Sequence, residues 1–235
     1  MFCKRPATRI AANTLQEAEM QMNRGTKHHL PPPSRLTGHQ AFYIFAMAGV
    51  GGGCLSAGFN FAIAYAMYNT TKQPIQLFRL PNTLAGDAAL SIIIQCILTW
   101  FVEWLLVAND LRRHSVQPIA FLEQPTSSSL RWLLFLERNP STKLHNALQQ
   151  ALRGFLLCVP AFLVLWPVSV GILTMVGEKQ GGDWVFERLW TPQVFKAILS
   201  GVLGLVTTPV MAMFWMVRAG WDGEKEADIV AKVEC

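Results

Sequence analysis

The stretch Asp87-Ala-Ala-Leu-Ser91-Ile-Ile-Ile-Gln95-Cys-Ile-Leu-Thr99-Trp-Phe-Val-Glu103 places a polar residue at every fourth position of an otherwise apolar run. No charge lies between Asp87 and Glu103. About 20 apolar residues rising 1.5 Å each cross the roughly 30 Å of hydrocarbon in a bilayer, so the stretch reads as a membrane span. On an α-helix a row spaced by four drifts about 40° per step and forms one slowly winding stripe. Asp87, Ser91, Gln95, Thr99 and Glu103 are therefore expected to face other helices, not lipid.

Working outward, no charge lies between Arg35 and Lys72 or between Arg153 and Glu178. With 51% hydrophobic and 15% charged residues among 235 and a mean hydropathy of +0.29, the chain is expected to be neither intrinsically disordered, a secreted disulfide scaffold nor a cytosolic α/β enzyme. Four spans are expected, at residues 41–68, 88–108, 152–176 and 194–217. The fold class is then all-α: an integral membrane four-helix transmembrane bundle, its first span tilted or reaching into the interface. Residues 1–40 are read as a disordered basic tail, 109–151 as a connecting loop and 218–235 as an acidic tail.

Basic residues orient the bundle, because positively charged segments stay cytoplasmic. Lys4, Arg5, Arg9, Arg24, Lys27 and Arg35 precede the first span; Arg112, Arg113, Arg131, Arg138 and Lys143 fill the middle loop; Arg218, Lys225 and Lys232 follow the last. The other two loops hold only Lys72 with Arg79 and Lys179 with Arg188. Both termini and the loop 109–151 are expected in the cytoplasm, of either the endoplasmic reticulum or the plasma membrane. The sequon Asn69-Thr70-Thr71 falls on the opposite side, close to the membrane. Within the middle loop, 130–137 is apolar but too short to span and reads as interfacial. Ser141 is the expected cap of a helix carrying Leu144, Leu148 and Leu152 into the third span.

Glu103 is the most costly stripe residue, and an unpaired acid at such a depth costs about 2.5 to 3.5 kcal/mol. Either Arg153 or Arg218 is a candidate partner, against a transport or catalytic role for the free acid. Asp87 reads first as the N-cap of the second span, with a water-exposed bridge to Lys196, contributing about 0 to 1 kcal/mol, as the alternative. The rows Gly49/Gly53/Ala57 and Gly52/Ser56/Asn60 in span one, and Ser200/Gly204/Thr208 in span four, have the small-xxx-small spacing that lets helices approach closely. Gly49-Val-Gly51-Gly52-Gly53 is no phosphate loop: no strand precedes it and no Gly-Lys-Ser/Thr follows. Pro160, Pro167 and Pro209 lie inside spans, where proline kinks helices.

Cys3, Cys54, Cys96, Cys158 and Cys235 are scattered, and the five histidines have no ligand spacing with carboxylates, so neither a metal nor a catalytic constellation is expected. No cofactor and no nucleic acid are expected either, since the basic residues are those that set topology.

Gly58-Phe-Asn-Phe-Ala-Ile-Ala64 through Tyr68, Leu80-Pro-Asn-Thr-Leu-Ala-Gly-Asp87, and Gln95-Cys-Ile-Leu-Thr-Trp100 to Asp110-Leu-Arg112 together resemble a fungal multi-pass membrane protein family of unknown function. The resemblance implies an integral membrane protein and no substrate. The function expected is non-enzymatic: a scaffold, assembly or accessory subunit whose partners are the bilayer and either another membrane protein or further copies of itself. A small oligomeric transporter or channel built on the polar stripe is the alternative, and a lipid-modifying enzyme a third class.

Overall fold

The computed structural model describes residues 35–69, 74–127, 131, 143–186 and 190–234. The sequon's Thr70 and Thr71, the segment 130–137 apart from Arg131, the Ser141 cap and the tail up to residue 34 lie outside the described residues.

Among the described residues four helices are long and apolar enough to cross a membrane. The first, α1 (Gly38–Tyr68), starts at a capping box: the Gln40 amide donates to Thr37 Oγ1 at 3.2 Å and the Thr37 amide to Gln40 Oε1 at 3.0 Å. Its turns over Phe42–Gly51 are wider, with i to i+5 hydrogen bonding, and tighten to α from Gly52. The second, α2 (Leu84–Arg112), is capped by Thr83, whose hydroxyl accepts from the Gly86 amide at 3.2 Å. Asp87 is thus not the N-cap: it sits in the first turn, and its side chain is used elsewhere. His114, at φ 56°, turns the chain beyond the end of α2.

The third helix, α3 (Lys143–Val176), runs unbroken through Pro160 and Pro167. The fourth, α4 (Thr191–Glu234), contains Pro209 and continues well past residue 217, so most of the expected acidic tail is helical. Its extension is rich in Glu, Lys and Ala, which favour helix whether or not lipid surrounds them.

Packing follows the small residues. Helix α1 lies on α4, and α2 packs on both α3 and α4. A Cβ built on Gly49 would come within 2.9 Å of the Pro209 ring, one on Gly53 within 3.1 Å of the Gly201 carbonyl, and one on Gly201 within 3.3 Å of Ala57. One on Gly204 would lie 3.0 Å from both Gly53 Cα and Ser56 Oγ. The two small-residue rows of span one therefore meet Gly201, Gly204 and Thr208 of span four. Below them Trp100 is wedged against Phe214 and Trp215, at ring separations of 4.9 and 4.8 Å. Ile92, Cys96, Leu203 and Met211 complete a core that is almost fully buried.

One feature departs from an all-α fold. Strands β1 (Ile75–Gln76), β2 (Glu178–Gln180) and β3 (Asp183–Phe186) form a small antiparallel sheet in the order β1-β3-β2. Ile75 pairs with Phe186 and Glu178 with Val185. The β2–β3 turn is Gly181-Gly182 with φ of 58° and 93°, a geometry that side chains resist. The sheet joins the connection between α1 and α2 to the one between α3 and α4, and so defines one end of the bundle.

At the other end the chain leaving α2 folds back. Gln40 Nε2 donates to the Gln117 carbonyl at 3.0 Å, the Ile119 amide to the Met216 carbonyl at 3.1 Å, and Trp221 Nε1 to the Leu122 carbonyl. Ile119 rests where Gly220 has no side chain; a Cβ there would overlap its carbonyl. The first part of the loop 109–151 is docked on the bundle.

Candidate functional site

All five stripe residues line one groove, of about 790 Å³, between α1 and α2, with Lys196 and Thr208 of α4 in its floor. Its lips are apolar and open. Leu55, Phe59 and Ile63 on α1 and Leu90, Ile94 and Leu98 on α2 line it and are each about half exposed or more. The stripe thus faces neither the outer surface of the bundle directly nor the packed core. It forms the floor of a cleft whose walls are the two helices.

Three polar pairs bridge the groove. At the sheet end Tyr68 donates its hydroxyl to Asp87 Oδ2 at 3.0 Å, while Lys196 Nζ reaches Asp87 Oδ1 at 2.7 Å. In the middle Asn60 Nδ2 donates to Gln95 Oε1 at 3.3 Å and to the Ser56 carbonyl at 3.1 Å, and Gln95 Nε2 donates to the Ser200 carbonyl at 2.9 Å. At the opposite end Tyr43 donates to Asp110 Oδ2 at 2.7 Å. From Asp87 to Asp110 the groove wall is about 34 Å long at 1.5 Å per residue.

Lys196 and Asp87 are not in open water: their side chains are 5% and 14% exposed. Glu103 is also buried, yet it makes no hydrogen bond or ion pair among the described residues, and neither of the expected arginine pairings forms. Arg218 is taken by Asp222, one turn along α4, at 3.5 Å. Arg153 lies on α3 beside Gly154, whose missing side chain leaves room for Trp100; α3 therefore packs on the Trp100 face of α2, away from the groove. Thr208 Oγ1, which lines the same groove, is a buried atom without a hydrogen-bond partner among the described residues, and Ser200 Oγ, elsewhere on α4, is another.

Tyr43, Tyr68 and Asp110 went unnoticed in the sequence. The signal was present, since two of only three tyrosines stand at the ends of α1 at nearly the spacing that separates Asp87 from Asp110 on α2. Antiparallel helices bring such equally spaced residues together at both ends.

A second groove, of about 810 Å³, lies between α3 and α4 and is walled mainly by Leu165, Val168, Ile172, Val194, Ile198 and Val202. No cluster of three or more His, Cys, Asp or Glu among the described residues could hold a metal.

At the sheet end Asp183 pins the connection to α2. Its carboxylate accepts from the amides of Trp184 at 2.8 Å, Arg79 at 2.9 Å and Phe78 at 3.1 Å. Burial pushes its titration upward, but those three amides and the Arg79 charge outweigh it and hold the carboxyl below its ordinary range. A depressed folded value stabilises fully above the unfolded value of about 4 and ceases to do so as pH falls through the folded one. Amide exchange at Phe78 and Arg79, corrected for the intrinsic rate, should show constant protection from neutral pH down to about 5 and a loss below about 4. Asp183→Ala should remove the protection at every pH, at a cost of about 2 to 3 kcal/mol in the cap.

A family model described as "Protein of unknown function (DUF2456)" matches residues 135–216. The "Uncharacterized protein C594.02c" of Schizosaccharomyces pombe is 39% identical over 172 residues, covering 71% of this chain and 35% of the relative. The "Uncharacterized protein YHL026C" of Saccharomyces cerevisiae is 27% identical over 260 residues, covering 80% of this chain and 82% of the relative. The relatives are fungal and uncharacterised. The chain spans only about a third of the fission-yeast protein's length, and its family match covers α3 and much of α4, whereas the resemblance read from the sequence rested on α1 and α2. No solved structure matches.

Proposed function

We propose that this chain is a multi-pass integral membrane protein, crossing the bilayer four times with both termini cytoplasmic, and that it acts without catalysis as an assembly or accessory subunit whose α1–α2 groove receives a partner. The observation that carries this reading is the position of the polar stripe on the floor of a groove that opens sideways between two exposed apolar lips. In hydrocarbon the lips are compatible with lipid, but polar side chains between helices are satisfied best by another polar surface. Tyr43, Asn60 and Tyr68 already hold the walls together at three levels, so the groove keeps its shape before anything enters.

A photoreactive residue at Leu98, on the groove lip, should cross-link a distinct polypeptide in native membranes. The same residue at Leu163, exposed on α3, should label only lipid. Lipid alone from both positions would overturn the assembly reading.

The unpaired Glu103 favours a second reading, in which water along the stripe conducts protons or ions. Purified protein in liposomes decides between the two. Flux that Glu103→Gln abolishes would replace the assembly role by transport, and absence of flux with folding retained is the expected result.

A further inference from the structure

We infer that the partner enters the α1–α2 groove as a transmembrane helix carrying a lysine or arginine opposite Glu103, an inference that rests on the assembly reading above. The charges of the groove are unbalanced along its length. Asp87 is neutralised by Lys196 at 2.7 Å, and among the described residues Lys196 is the only basic one that lines the groove. The other half holds Glu103 and Asp110 with no cation among the described residues. Asp110 receives the Tyr43 hydroxyl, whereas Glu103 receives nothing and is only 5% exposed. Thr208, 2% exposed, adds a hydroxyl oxygen that also lacks a partner in the same groove. Counted in helical rise, Thr208 lies about 18 Å from the level of Lys196 and Glu103 about 24 Å from Asp87, so the two belong to the same half. Glu103, a largely buried acid with no hydrogen bond or ion pair among the described residues, and the unpartnered Thr208 Oγ1 define a place for a cationic donor.

Depth and length select a helix over a lipid. A phosphate headgroup would meet two carboxylates there, and its place is the interface, not the interior of a leaflet. An acyl chain occupies one leaflet, about half of the 30 Å hydrocarbon thickness, whereas the wall from Asp87 to Asp110 runs about 34 Å and so through both. The wall also suits close approach of a backbone. Gly51 lines the groove and a Cβ there would meet nothing nearer than 3.9 Å, so α1 offers a smooth strip between Met47 and Leu55. A volume of about 790 Å³ takes the side chains of one helix face and leaves the helix axis outside the lips.

The test uses the full chain in nanodiscs of neutral phospholipid and labelled Leu/Ala transmembrane peptides of about 23 residues, long enough to cross. One peptide carries a single Lys about 7 Å to the cytoplasmic side of its centre, a second carries Leu there, and a third carries Lys at the mirrored position. Energy transfer should show the first binding about ten-fold more tightly than the other two. Glu103→Gln should bring all three to the level of the Leu peptide without changing the melting temperature. Should that variant misfold, Leu98→Trp, which narrows the mouth from an exposed position, should block all binding in a folded protein. Equal binding of the three peptides, a preference that survives Glu103→Gln, or displacement of the Lys peptide by a stoichiometric long-chain amine lipid would each overturn the inference. If the peptides show no preference while the Leu98 cross-link still captures a polypeptide, this inference fails and the assembly reading stands; if the cross-link finds only lipid, both fail.

Discussion

Replacing Lys196 with methionine is expected to lower stability by about 3 to 5 kcal/mol. The substitution leaves the largely buried Asp87 carboxylate with only the Tyr68 hydroxyl to support it among the described residues. Water screens little of this interaction, because the two side chains are 5% and 14% exposed, and the cost of such a change is chiefly that of an uncompensated charge. The double variant Asp87→Asn with Lys196→Met should recover most of the loss, since it removes both charges and keeps a polar acceptor for Tyr68. Unfolding in a mild detergent, followed by loss of helical signal, measures both. A Lys196→Met protein within about 1 kcal/mol of the native one would show that the pair is effectively hydrated and worth no more than an exposed bridge.

Gly204→Leu should be at least as damaging, at about 3 kcal/mol or more. The first side-chain atom alone would lie 3.0 Å from Gly53 Cα and 3.2 Å from the Gly52 carbonyl. Both neighbours are backbone, so neither can turn aside as a flexible side chain would. The only relief is for α1 to move off α4, which breaks the largest helix contact of the bundle and opens the groove floor at Ser56 and Thr208. Gly58→Leu is the internal comparison, because a Cβ there meets nothing within 4 Å, and it should change stability by less than about 0.5 kcal/mol. Similar losses from both would mean that helix propensity and insertion dominate over contact between α1 and α4.

The two glycine results bear on how much of this molecule is readable before folding. Length and the spacing of charges suffice for four helices, because both report directly on the surface a helix presents. The fourfold row from Asp87 to Glu103 likewise reveals a shared face, but not what stands opposite it. Arg153 and Arg218 looked like partners for Glu103 because they fall at a similar depth. Only the packing of α3 on the Trp100 face, and the capture of Arg218 by Asp222, removes them.

At the start of α2, Asp87 has good capping chemistry, yet Thr83 stands four residues earlier and its hydroxyl reaches the Gly86 amide first. The sheet was missed because strands of two to four residues are too short for alternation to show, although Gly181-Gly182 is a hairpin signal. Helix α4 outran its span because hydropathy ends where lipid ends, while helix propensity does not.

The cap sheet pairs Ile75, which leaves the ribosome early, with Phe186, which follows three helices into the chain. Lys196 emerges later still. During synthesis the first two helices therefore emerge with neither Lys196 to meet Asp87 nor β3 to pair with β1. The first hairpin has neither contact until the fourth helix arrives. A nascent chain halted before Lys196 should be the stage at which quality control finds this protein most exposed.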